Sequence, residues 1–166
     1  MGPPEREGSA MASPDGSRAV LFGGLGGQQP YYAQALGDTW GWDGASWTEL
    51  GATGVARQDG AMAAAQGTLV VFGGLTSSLT AAPETLTWNG ATWQAVTASG
   101  PASRMFDMMA TFQGTVVLFG GEGIGQDDAG TMPLGLEDTW IWDGATWTAL
   151  EVQGPGHRSR AVMAAL

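Results

Sequence analysis

The chain repeats itself about every 50 residues, and no other property of the sequence restricts its fold as strongly. VLFGG at 20–24 returns as VVFGG at 70–74 and as VLFGG at 117–121. DTWGWDGASWTEL from Asp38 returns as ETLTWNGATWQAV from Glu84 and as DTWIWDGATWTAL from Asp138. An Arg five residues ahead of a Met recurs as Arg6 and Met11, Arg57 and Met62, Arg104 and Met109, Arg158 and Met163. All eight tryptophans lie inside the second of these markers. An array of this kind buries its apolar residues by stacking each unit on the next.

The intervals between markers separate what is fixed from what is free. From Met to the Phe of the double-glycine marker is 11, 10 and 10 residues, and Trp42 and Trp47, Trp88 and Trp93, Trp142 and Trp147 stand 5 apart each time. One interval varies, with 20 residues from Phe22 to Trp42, 16 from Phe72 to Trp88 and 23 from Phe119 to Trp142. That stretch is the free connection of the unit. Four short strands, a to d, are predicted in each repeat. Strand a is GSAMA, GAMAAA, DMMATF or RAVMAAL, with small residues that suit a crowded centre. Strand b is RAVLFGG, TLVVFGG or TVVLFGG, an apolar run that signals burial on both faces. Strand c ends in Trp-Asp-Gly or Trp-Asn-Gly, a hairpin signal because these pairs tolerate positive φ. Strand d follows as WTEL, WQAV or WTAL. The expected fold is all-β, a propeller with one four-stranded antiparallel blade per repeat.

The double glycines Gly23-Gly24, Gly73-Gly74 and Gly120-Gly121, each closing an apolar strand and followed by paired aromatics, resemble kelch repeats over essentially the whole chain. The wording is similar to bacterial kelch proteins related to the galactose oxidase propeller. Tryptophan-aspartate repeats also end a strand in Trp-Asp, but they lack the double glycine and carry a Gly-His that is absent here. The resemblance implies blade 1 at about 5–51, blade 2 at about 56–97, blade 3 at about 103–151, and one extra inner strand at about 157–166. It also implies a bacterial protein of the envelope or the exterior. Many kelch units have His three residues after the Arg; here that place holds Ser9, Gly60, Asp107 and Ala161.

Charge narrows the function classes. Sixteen Asp and Glu face six Arg, for a net charge of −10, which makes nucleic acid and anionic lipid poor partners. No segment approaches the apolar length of a membrane span, and the first residues carry no signal peptide. Without cysteine there is no thiolate metal site or cysteine nucleophile, and one histidine builds no polyhistidine centre. A copper-radical oxidase of the galactose oxidase type needs both cysteine and histidine, so that chemistry is not expected. No cofactor, metal or catalytic residue is assigned.

Candidate binding residues come from two places. In an a-b-c-d meander the repeat Arg and the variable b–c connection fall at one end of the sheet. Arg57 and Arg104 could bind a carboxylate or phosphate there with both arms of the guanidinium; alternatively each Arg pairs with the acid that opens strand c, Asp38, Glu84 or Asp138. The tryptophans recur in register, which packing of blade on blade requires. The non-repeating loops are the other source, since rigid scaffolds carry function on such loops. Residues 25–37 hold the only two tyrosines, Tyr31 and Tyr32, a contact patch, and 122–137 hold Asp127 and Asp128, whose spacing lacks the alternation of a calcium loop. The expected role is a non-catalytic scaffold for a protein or glycan ligand. The alternative is a sugar-active or lectin-like propeller with its ligand at the Arg-lined mouth. Three blades do not close a ring, so either more repeats adjoin this stretch or a homodimer completes it.

Overall fold

Apolar residues alternating with a period of two, cut by glycine-bearing turns, make strands and, among the described residues, no helix. In the computed structural model, which describes residues 2–27, 34–52, 55–127 and 130–164, three four-stranded antiparallel sheets follow one another along the chain. Sheet 1 comprises Ala10–Ala12, Ala19–Phe22, Asp38–Trp42 and Trp47–Ala52. Sheet 2 comprises Gln58–Ala65, Thr68–Leu75, Thr85–Trp88 and Trp93–Val96. Sheet 3 comprises Met108–Phe112, Thr115–Phe119, Thr139–Trp142 and Trp147–Leu150. Strands pair in chain order in all three, and the a to d labels above apply to them.

The c–d turn works differently from the sequence expectation. Trp42 pairs with Trp47, Trp88 with Trp93 and Trp142 with Trp147, each closing a four-residue loop. Positive φ falls on Gly44, Gly90 and Gly144 alone, at 99°, 97° and 107°. The residue before each glycine contributes its side chain instead. Asp43 Oδ1 accepts the amides of Ala45 and Ser46, Asn89 Oδ1 those of Ala91 and Thr92, and Asp143 Oδ1 those of Ala145 and Thr146. These Asx turns are why Asp and Asn alternate at that place.

Period-two alternation in the middle sheet splits its side chains between two cores. Met62, Ala64, Leu69 and Val71 join Val20, Phe22, Trp88 and Trp93 between sheets 1 and 2. Ala63, Ala65, Val70 and Phe72 join Val116, Leu118, Trp142 and Trp147 between sheets 2 and 3. The same aromatic contact recurs at each junction: Trp93 lies 4.6 Å from Phe22, and Trp147 lies 5.5 Å from Phe72. Its polar edge is satisfied too, since Trp93 Nε1–H donates to Thr39 Oγ1 at 3.0 Å and Trp147 Nε1–H to Thr85 Oγ1 at 2.8 Å. Strand b is buried along nearly its whole length only in sheet 2; in sheets 1 and 3 Ala19, Leu21, Thr115 and Val117 are partly open, because no sheet covers their outer faces among the described residues. Gly2 lies on Trp47, and Gly154 lies on Phe119, the counterpart of Phe22 and Phe72.

A backbone ladder joins the units where strand a begins. Gly8, Asp59, Phe106 and Arg160, each two residues after a repeat Arg, have φ of 60°, 59°, 57° and 54°. Asp59 N–H donates to Gly8 O, Phe106 N–H to Asp59 O and Arg160 N–H to Phe106 O, at 2.8, 2.8 and 3.1 Å. Left-handed backbone costs a non-glycine residue roughly 1–2 kcal/mol, and these hydrogen bonds between units offset it.

Two expectations need correction. The extra inner strand expected at about 157–166 is not formed: none of the described residues from 151 to 164 is in a strand. In the three sheets strand a pairs with strand b, and no described strand pairs with this segment; it is held by Gly121 N–H to Arg158 O, by the Arg160 rung, and by Ser159 Oγ–H to Glu122 Oε1. The stretch 122–137, expected as a loop, is largely a hairpin, Glu122–Asp127 paired with Gly130–Gly135. It joins Arg104–Met105 in a small three-stranded sheet, matched in the first repeat by Arg6–Glu7, Leu25–Gly26 and Gln34–Ala35. Beyond the double glycine the a–b hairpin turns into this second sheet in repeats 1 and 3, whereas in repeat 2 it runs on unbroken from Gln58 to Leu75.

Candidate functional site

The repeat Arg residues and the b–c connections meet at one end of the sheets, because strand a starts where strand b ends. Arg6 and Arg104 are used alike. Arg104 Nη1 and Nη2 donate to both oxygens of Asp138 at 2.7 and 2.8 Å, Nη1 also to Gly120 O, and Nε to Ala102 O. Arg6 makes the matching bonds to Asp38, Gly23 O and Pro4 O. The tryptophan two residues into strand c completes the arrangement, with Trp40 Nε1–H donating to Asp38 Oδ2 and Trp140 Nε1–H to Asp138 Oδ2. Burial raises the pKa of both carboxyls, but the hydrogen bonds from Arg and Trp outweigh it and hold them below the usual range.

Repeat 2 departs from this pattern in three linked ways. Glu84 replaces the aspartate, Leu86 replaces the tryptophan, and the b–c connection is the shortest of the three. Arg57 consequently reaches its acid with one arm, Nη2 to Glu84 Oε2 at 2.8 Å, while Nη1 turns to Ala56 O. Its Nε is buried and donates to no described residue. Burial lowers the pKa of this guanidinium, partly countered by Glu84. Beside it opens a cavity of about 400 Å³, bordered by Arg57, Glu84, Thr76, Ser77, Ser78 and Leu86.

Asp107 is the other unusual group. Its side chain is buried between repeats 2 and 3 against Gly73, and neither carboxyl oxygen has a hydrogen-bond partner among the described residues. Burial pushes its pKa up to about 7, and its own amide and the charge of Arg104 reverse this only in part. Sequence reasoning noted Asp107 only as a departure from the kelch pattern.

Of the sequence-derived candidates, Arg57 and Arg104 lie at this end of the sheets with their forks turned to Glu84 and Asp138. Tyr31, Tyr32 and Asp128 lie outside the described residues, and Asp127 is described only as the last residue of its strand. Among the described residues no three His, Asp or Glu side chains gather where they could hold a metal ion. The cavity in repeat 2 was missed, although its signal was present: a Trp missing from a register that otherwise keeps one, next to the shortest connection. In comparisons with known proteins, no family model and no curated protein matches the chain.

Proposed function

We propose that the three sheets are blades of a kelch-type β-propeller and that the chain is a non-catalytic binding scaffold for a protein or glycan, engaged through the b–c connections. One observation carries this reading. The polar side chains that recur in every repeat are spent on the scaffold itself, as Arg–acid pairs and Asx turns, whereas the one interval that differs between repeats gathers at a single end. Loops of unequal length on a rigid frame are the usual place for recognition. A bacterial envelope or extracellular setting accompanies the kelch resemblance. The rival reading, a sugar-active or lectin-like propeller with its ligand at an Arg-lined mouth, draws no support from Arg6 and Arg104, whose guanidinium groups are gripped by carboxylates with both arms.

The full chain, screened against a glycan array and against candidate protein partners, provides the test. Tyr31→Ala with Tyr32→Ala, and Asp127→Asn with Asp128→Asn, are expected to weaken any binding found while leaving the melting temperature unchanged. Binding that survives both pairs of substitutions and also Ser77→Trp, in the b–c connection of repeat 2, would overturn the assignment to the b–c connections.

A further inference from the structure

We propose that the cavity of repeat 2 binds a neutral saccharide through a pair of adjacent hydroxyls held between Arg57 and Glu84, an assignment that rests on the scaffold reading above and names its ligand. In repeats 1 and 3 an indole donates to the strand-c carboxylate, and the guanidinium grips that carboxylate with both arms. In repeat 2 both features are missing. Leu86 has no donor to offer Glu84, whose Oε2 takes one arm of Arg57 and whose side chain is 48% exposed. Arg57, less than a tenth exposed, makes two hydrogen bonds where Arg6 and Arg104 make four, and its Nε donates to no described residue. With two hydrogen bonds made, the guanidinium keeps unused N–H capacity where it borders the cavity, for an acceptor that the protein does not supply.

The pairing of charges selects the ligand. An anion at Arg57 meets Glu84 beside it and a chain of net charge −10. A cation at Glu84 meets the guanidinium. Two neighbouring hydroxyls satisfy both, one donating to Glu84 Oε1 and the other accepting from Arg57, at no cost in net charge. The exposed hydroxyls of Ser77 and Ser78 stand on the rim to engage further hydroxyls, and Leu86 gives an apolar floor for a ring face. The volume of about 400 Å³ falls in the range of small-molecule sites.

The experiment is a nitrogen–proton correlation spectrum of the full chain titrated with glucose, galactose, mannose and myo-inositol, and with glucuronic acid and glucosamine as charged counterparts. At least one neutral sugar is expected to shift the Arg57 Nε–H resonance and the amides of Thr76–Ser78, with both charged sugars about tenfold weaker. Glu84→Asp with Leu86→Trp, which rebuilds the pattern of repeats 1 and 3, is expected to remove these shifts; Ser77→Trp, an exposed change that cannot unfold a core, is expected to do the same by obstruction. Tightest binding of glucuronic acid, or shifts that persist in Ser77→Trp, would overturn the proposal. Sugar shifts confined to 25–37 or 122–137 would overturn this pocket and leave the scaffold reading standing. With no shift anywhere the pocket is rejected, while the scaffold reading is decided separately by the loop variants above.

Discussion

Arg104 and Arg158 occupy the same place in the repeat, yet the structure uses them in opposite ways. Arg104 is fully buried and its side chain makes four hydrogen bonds, whereas the side chain of Arg158 is exposed and, among the described residues, bonds only to the carbonyls of Gly156 and His157 beside it. Asp138 is 40% exposed and can rehydrate in part, so Arg104→Ala is expected to destabilise by about 2–4 kcal/mol, below the range for a fully enclosed pair. Arg158→Ala should change urea unfolding by less than about 0.5 kcal/mol. Equal effects would show that the ion pair is incidental. Asp107 makes a prediction about pH. Its folded-state pKa of about 7 lies above the ordinary 3.8, so the stability linked to its proton is complete below pH 3.8 and is lost as pH rises through 7. Asp38 and Asp138 act with opposite sign, because their depressed values make stability fall as pH drops below the ordinary carboxyl range. Asp107→Asn keeps the shape without the charge, and should raise the unfolding free energy at pH 8 by several kcal/mol, on the order of 1.4 kcal/mol for each tenfold change in the carboxyl's proton affinity, with little change at pH 4. Thermal melts across that range check it, and a parallel profile for the two proteins would contradict the burial argument.

At the scale of the strand, the indole register carries most of the specificity. Trp93 and Trp147 each pack against the phenylalanine of the preceding sheet, tilted and edge-on respectively, and donate to a buried threonine, whereas Trp47 meets Gly2 and has no such acceptor among the described residues. Replacing Trp93 or Trp147 by Phe removes the donor and strands Thr39 or Thr85, at an expected cost of about 1–3 kcal/mol; Trp47→Phe should cost less than half as much in the same unfolding assay. The three strand-b sequences look alike, so the unequal exposure of sheets 1 and 3 could not be read from them; it follows from which neighbour each sheet has. What could be read was everything set by local spacing: four strands per repeat, the turn at Trp-Asp-Gly, and the fixed tryptophan interval. The pairing of each Arg with its acid stood as one of two alternatives, because spacing places both at one end but does not orient a guanidinium. The hairpin 122–137 escaped notice because its residues, EGIGQDDAGTMPLGLE, lack β-branched alternation and are held as strands by partners across the ladder, Arg104 and Met105 among them. The absent inner strand at 157–164 is the converse case, a sequence with strand character that no described strand pairs with. Glycine use shows the same division. Gly144 has positive φ with only the Gln66 side chain, at an ordinary contact distance of 3.7 Å, near where a Cβ would sit, while Gly73 combines φ of 68° with Arg104 O at 2.7 Å from that place. Gly73→Ala should therefore destabilise by about 1–3 kcal/mol more than Gly144→Ala, the difference being steric overlap with a backbone that cannot move aside.

For the molecule as a whole, two forces of opposite sign decide whether copies associate. Among the described residues, no sheet covers the outer faces of sheets 1 and 3, whereas sheet 2 is covered on both sides. Phe112 and Met11 are each 58% exposed, and a cavity of about 430 Å³ lies beside Phe112, Val117 and Met163. Apolar surface of this kind favours association. Against it stands the net charge of −10 on 166 residues, which repels one copy from another over the screening length of the solution. Salt separates the two, because it shortens that length from about 30 Å at 0.01 M to about 3 Å at 1 M while leaving apolar burial intact or stronger. The weight-average sedimentation coefficient is therefore expected to rise with salt, and Phe112→Ser to reduce the rise. A coefficient that falls with salt would instead assign the contact to charge, and would remove the argument that the uncovered sheet faces drive it.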